Sequence, residues 1–226
     1  MKKETTKTER KSMLRQARAL TTGAAVSAMM IFTTPAVQAQ SGPPLDTQPP
    51  VADNAGEISH QAKMFLQEAA QADQSEIALA NIAELRSQNP TVKELAQMIR
   101  GDHQKNFAEL EVIAQNHHVA LDLSLDVMNQ HAVNKLQKVS DADFDKDYTT
   151  MMLKGHVKCI KMFDKAVEHI EDLGIREYAQ NTLPVLHKHL QHSRDAARAV
   201  GVDEGTITSI LRGLPSEDMD RKVSLN

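Results

Sequence analysis

The chain has no tryptophan, two tyrosines, five phenylalanines and one cysteine, Cys159, in 226 residues. A lone cysteine forms no intrachain disulfide, so an oxidising compartment is tolerated but not exploited, and zinc sites built from paired cysteines are excluded. Beyond about residue 57 glycine is scarce, and runs of β-branched residues and period-two alternation are missing, so nothing argues for strands. There is no glycine-rich phosphate loop and no nucleophile–base arrangement, which leaves an enzymatic reading with the least support.

What is present begins with a basic leader. The first twenty residues carry seven Lys or Arg against two Glu, and an apolar small-residue run follows from about Ala19 to Phe32. That run is roughly 14 residues, short of the ~20 needed to span a bilayer. Val37 and Ala39 then stand at the −3 and −1 positions of a small-residue cleavage site. Residues 1–39 therefore read as a secretory signal peptide cut after Ala39, which predicts a periplasmic protein without stable membrane insertion after cleavage. The competing reading is a leader retained as an anchor. No cysteine follows the cut and no twin-arginine pair precedes it, which points to general secretion without a lipid anchor.

Removing the leader uncovers the charge of the mature protein. The whole chain has net charge −4, but the remaining 187 residues hold 19 Lys and Arg against 28 Asp and Glu, near −9. That balance opposes binding to nucleic acid or to anionic membranes, both of which need a basic face. Residues 40–56 read as a flexible or polyproline-type, Pro-rich lead-in.

From there to about Gly201 the good helix formers Ala, Leu, Met, Gln, Lys and Glu dominate. The pattern predicts a first helix from about Glu57 to Gln88, ended by Asn89-Pro90. A second, capped by Thr91 with Glu94 completing a capping box, reaches about His118. A short helix covers roughly Val127 to Lys138. A long one starts at Ser140-Asp141 and ends near Asp172, with Leu173-Gly174 as its stop. The last runs from Ile175 to Val200 with a kink at Pro184. Residues 202–226 read as a short helix and a polar tail. Four long amphipathic helices with a short one in the crossover describe an all-α, ferritin-like four-helix bundle.

One ionisable group interrupts the apolar stripe of each long helix. In the second helix the stripe is Leu95, Ile99, His103, Phe107, Leu110 and Ala114; in the third long helix it is Met152, His156, Ile160 or Cys159, Phe163, Val167 and Ile170. In the fourth it is Val185, His189, Ala196 and Val200, and in the first Glu76 stands among Ala69, Ala72, Ala80 and Ala83. Glu76 precedes His103 by 27 residues and His156 precedes His189 by 33, so two similar helix hairpins bring all four groups toward one level of the core. A buried carboxylate or imidazole without a partner costs of order several kcal/mol in its charged form, and mutual pairing or a metal ion removes that cost. Imidazole with carboxylate suits one transition-metal ion: iron, zinc or copper. A di-iron centre would carry Glu-x-x-His motifs, but Arg100 and Leu186 stand three residues before His103 and His189, so the site is read as mononuclear. The bland alternative is a hydrogen-bonded polar network in a metal-free periplasmic binding module with an envelope protein partner.

Other features carry less. Cys159 lies three residues after His156, with Met151, Met152 and Met162 nearby, and this is read as core packing rather than copper ligation. His117-His118 closes a helix, where a cation favours the dipole. His187 and His192 are expected to face solvent. Asp102 is expected either to orient an imidazole or to solvate the surface.

The segments FLQEAAQADQSEIALANIAE, VKELAQMIRGDHQKNFAEL, DFDKDYTTMMLKGHVKCIKMFDKA and YAQNTLPVLHKHLQHSRDAA resemble the exported ferritin-like family known as domain of unknown function 4142. The resemblance covers about Lys63 to Gly201. Its recurrent elements are matched here by Glu76, Asp102-His103, Phe144-Asp145 with Tyr148, His156, Leu183-Pro184 and His189. It implies a ferritin-like bundle in the bacterial envelope and implies no established activity.

Overall fold

A computed structural model describes residues 57–214. The leader, the lead-in and the polar tail lie outside the described residues. Six helices and no strand occur among those described: α1 (His60–Arg86), α2 (Pro90–Asn116), α3 (Val127–Lys138), α4 (Asp141–His169), α5 (Leu173–Ala199) and α6 (Glu204–Leu211). None is long and apolar enough to cross a membrane.

Side-chain caps set the helix ends. Ser59 accepts a hydrogen bond from the Ala62 N–H at the start of α1, three residues later than the pattern suggested. At α2 the expected Thr91 cap gives way to Asn89, which accepts from the Thr91 N–H at 3.0 Å. Pro90 is the reason: it has no N–H to satisfy and its φ is already helical, so the preceding residue becomes the cap. Asp126 and Ser140 cap α3 and α4. Asp172 caps α5 through the Ile175 N–H at 2.9 Å, so Leu173-Gly174, expected as a stop, opens the last long helix instead. That helix runs unbroken through Pro184. Pro184 and Gln180, whose carbonyl loses its donor, are both exposed, so water can replace the missing bond. The end of α2 carries His118 at φ 54°, an αL position usually given to glycine or asparagine. His117 beside it reaches Asp172 at 3.6 Å and ties the end of α2 to the start of α5.

The three-residue links 87–89 and 170–172 make α1–α2 and α4–α5 antiparallel hairpins, and these are the most extensive pairings of the bundle. α2 also packs on α5, and α1 on α4, which gives the ring order α1, α2, α5, α4. The link from α2 to α4 carries α3 across α1. Arg86 holds this crossover in place, donating to the carbonyls of Leu136 and Val139 at 3.0 and 2.8 Å while stacking on Phe144. Buried Ala62, Ala69, Ala70, Ala80 and Ala83 let neighbouring helices approach α1 closely.

The core is divided. One apolar cluster holds Phe65, Leu66, Leu110, Ile160, Phe163, Ile175 and Tyr178, and α6 joins it through Ile207 and Leu211. The other holds Leu79, Val92, Leu95, Ile99, Phe144, Tyr148 and Met152. Between them, at mid-height of all four long helices, lie the buried polar residues Asp73, Glu76, His103, His156, His189 and Ser193.

Candidate metal centre

Each of the four sequence-selected residues sits near the middle of its helix, so antiparallel pairing brings them to one level whichever way a helix runs. All four are buried: Glu76 is 5 % exposed, His103 3 %, His156 1 % and His189 1 %. The three imidazoles meet at the bundle axis with ring centroids 5.2–5.8 Å apart. One nitrogen from each falls within 4.8 Å of the others, and together they form a group that could hold a metal ion. A tetrahedral ion with bonds of ~2.0–2.1 Å needs nitrogens about 3.4 Å apart, which small ring rotations supply.

The hydrogen bonds fix which nitrogen each ring offers. His103 Nδ1 is bonded to the Asp73 carboxylate at 2.7 Å, His156 Nδ1 to the Met152 carbonyl at 2.8 Å, and His189 Nε2 to the Asp102 carboxylate at 3.1 Å. The opposite nitrogens, His103 Nε2, His156 Nε2 and His189 Nδ1, are buried and have no hydrogen-bond partner, and neither has Glu76 Oε2. An outer acceptor on one nitrogen, with the other left bare toward a shared centre, is how protein imidazoles are oriented for metals. Buried polar atoms are rarely orphaned, and four converging on one layer need a physical reason.

Electrostatics divide the three rings. Burial holds His156 well below the ordinary imidazole range, with its two histidine neighbours adding to the effect, and it brings His189 down to about 4 against the pull of Asp102. Both rings are therefore neutral at neutral pH, with a free lone pair available. Burial also lowers His103, but the hydrogen bond and charge of Asp73 outweigh it, and that imidazole is shifted upward. Burial pushes Glu76 up to about 7, so without a nearby cation its carboxyl is reluctant to ionise. Asp102 is held well below its usual range by the His189 hydrogen bond.

Glu76 stands apart in one respect. It is not within the 4.8 Å group. Its carboxylate leans over Gly155 instead, where a Cβ would lie 2.5 Å from Oε1. Gly155 is thus the residue that leaves room for a carboxylate between α1 and α4.

Several expectations need correction. His187, expected at the surface, is buried, because α5 packs on α2, α4 and α6 and so buries a broad arc. His192 is exposed as expected. On α5 the expected stripe is shifted: Val185 is 37 % exposed, and Thr182, Leu186 and Ser193 take the inward positions. Asp102 does orient an imidazole, but that of His189 across the bundle rather than its sequence neighbour. Cys159 is buried outside the histidine group, and burial pushes its thiol well above the ordinary range, which makes it inert. Asp73 was missed. It is buried at 2 % exposure, accepts two bonds from Asn106 Nδ2 at 2.8 and 3.1 Å, and Asn106 Oδ1 in turn accepts from Thr182 at 3.0 Å. The signal was its position one turn before Glu76 on the same alanine-rich face.

Comparison with known proteins follows the same lines. No curated protein matches the chain. Among solved structures, the crystal structure of a DUF305 fragment from Deinococcus radiodurans has a TM-score of 0.52 and 16 % identity, covering 67 % of this chain and 98 % of that one. At that identity the likeness speaks for the fold alone, a helical bundle. The family described as Domain of unknown function (DUF4142) matches residues 47–196, and with most of the helical bundle inside that span, the chain belongs to this family.

Proposed function

We propose that this protein is an exported metal-handling bundle, in which His103 Nε2, His156 Nε2, His189 Nδ1 and the Glu76 carboxylate hold one divalent transition-metal ion. The observation that carries this reading is the set of unpartnered ligand atoms in the middle layer, Glu76 Oε2 and one nitrogen on each of three rings whose other nitrogen is already bonded, with the unpartnered Ser193 hydroxyl in the same layer. A metal-free hydrogen-bonded network would have paired these groups with each other. Three imidazole nitrogens and one oxygen favour zinc, copper(II) or iron over magnesium or calcium, which prefer oxygen. Asp73, Asp102 and the Met152 carbonyl orient the rings. The basic leader and small-residue cut of the sequence support work in the periplasm, where such a protein could take up, buffer or pass on metal, or limit metal-driven oxidation.

Elemental analysis of protein purified without a polyhistidine tag, beside His103→Ala and His156→Ala variants, tests this reading. The expected result is close to one metal ion per chain, lost in both variants while the helical circular dichroism persists. Protein that is metal-free and takes up no added zinc, copper or iron would overturn it.

A further inference from the structure

The polar layer is reached from two sides. On the α2–α5 face a cavity of about 360 Å³ ends on His103 and His189. There the Asp102 side of the His189 ring faces out, and its unpartnered Nδ1 is on the opposite edge. On the α1–α4 face a cavity of about 420 Å³ ends on Glu76, Gly155 and Cys159. Its outer wall includes Glu68, Gln71 and Asp126, and Lys158 is the one cation among its lining residues. The floor of this second cavity is therefore a buried carboxylate with an unpartnered oxygen.

Resting on the metal reading above, we infer that the α1–α4 cleft is the path by which a divalent cation enters, and that Glu76 transfers it to the three histidines. A hydrated cation is drawn first to Glu68 and Asp126, oxygen donors at the cleft wall that keep it in exchange with water. At the floor it meets Glu76, whose Oε1 lies over Gly155 and whose Oε2 is unpartnered. Because Glu76 lies outside the histidine group, it must turn about its side-chain torsions to share an ion with the rings. That movement carries the ion inward and clears the Gly155 notch behind it. The α2–α5 cavity offers no equivalent step: of its two carboxylates, Asp102 is already bonded to His189 and Lys105, and Glu109 shares the lining with two cations, Lys105 and Lys188. Carboxylates lining a cleft raise the local cation concentration and the association rate by roughly 10–10³-fold, an effect that salt weakens.

The test is stopped-flow uptake of Co(II) by the metal-free protein, followed by visible absorption, with the final stoichiometry measured in each case. Three variants are compared with wild type: Glu68→Gln with Asp126→Asn, Gln71→Trp as a plug in the α1–α4 cleft, and Val185→Trp as a plug in the α2–α5 cavity. Asparagine at 126 retains the cap of α3. The paired carboxylate variant should slow uptake about ten-fold and lose most of its salt dependence. Gln71→Trp should slow it at least as much, Val185→Trp should stay within about two-fold of wild type, and all should reach the same end point. Slowing by Val185→Trp alone, or unchanged rates in both cleft variants, overturns the route while leaving the metal site standing. No uptake by wild type overturns both.

Discussion

The four long helices present the same inward faces at two levels, and the two levels are built differently. In one, Phe65, Phe163 and Tyr178 pack ring to ring, with Phe65 and Phe163 edge-to-face at 5.1 Å and Phe163 and Tyr178 5.9 Å apart. In the other, two turns along α4 from Phe163, three imidazoles stand at similar centroid distances with bare nitrogens between them. The aromatic layer is held by burial and ring geometry, and the Tyr178 hydroxyl is the one polar atom of those three rings, buried and without a hydrogen-bond partner. The imidazole layer occupies comparable space while leaving buried lone pairs without partners, which is destabilising by itself. Replacing such a layer with well-packed apolar residues is often neutral or stabilising in proteins. On the metal reading proposed above, the polar layer serves something other than folding, and a cation that binds only the folded chain would return the lost stability.

The difference can be probed from the largest effect downward. Phe163→Ala should destabilise the protein by about 3–5 kcal/mol in denaturant unfolding, while metal bound per folded chain stays unchanged. An equal loss of metal would mean that the two layers are coupled rather than independent. Glu76→Gln should act in the opposite sense in metal-free protein. The folded Glu76 keeps its proton up to about pH 7, whereas the unfolded side chain releases it near the ordinary 4.5. Wild type is thus fully stable with respect to this group below pH 4.5 and loses stability as pH rises through 7. Glutamine never ionises, so the variant should match wild type at pH 4 and exceed it by up to about 3 kcal/mol at pH 8. A constant difference across that range would show that Glu76 is not buried in the way described.

Asp73→Asn should leave the histidines in place but weaken their grip. Loss of the carboxylate behind His103 is expected to lower metal affinity by roughly 10–100-fold in competition with a chelator, without changing stoichiometry. The smallest effect belongs to Cys159→Ala, which should cost about 1 kcal/mol through lost packing and leave metal affinity and optical spectrum unaltered. A shifted cobalt spectrum in that variant would bring the thiol into the site and break the separation between a packed wall and a ligand set.

Much of this architecture was legible from local patterns. Val127–Lys138 was read with both ends correct, because Asp126 supplies a strong cap and no proline or glycine competes. The local pattern misplaces the starts of α2 and α5 because Asn89 and Asp172 compete with neighbours that have equal local claims, Thr91 and the Leu173-Gly174 pair. Glu76, His103, His156 and His189 were readable as single polar interruptions at helical spacing, since burying such groups is expensive and therefore conspicuous. Asp73 was not, because a second carboxylate one turn away on an alanine-rich helix looks the same whether it faces water or a histidine. His187 was misjudged for the same reason: periodicity gives the direction of a face but not its width.

By itself the sequence determined the helical class, the lengths of the elements and the pairing of short-linked helices, because helix propensity, caps and breakers act within a few residues. Only the tertiary structure decided which ring nitrogen is bonded and which is bare, that Asp73 and Asp102 stand behind His103 and His189, and that Glu76 rests in a notch made by Gly155. Apart from the His156–Met152 bond within α4, those relations join residues 30 to 87 positions apart, and hydrogen-bond geometry over such distances is set by how the helices pack.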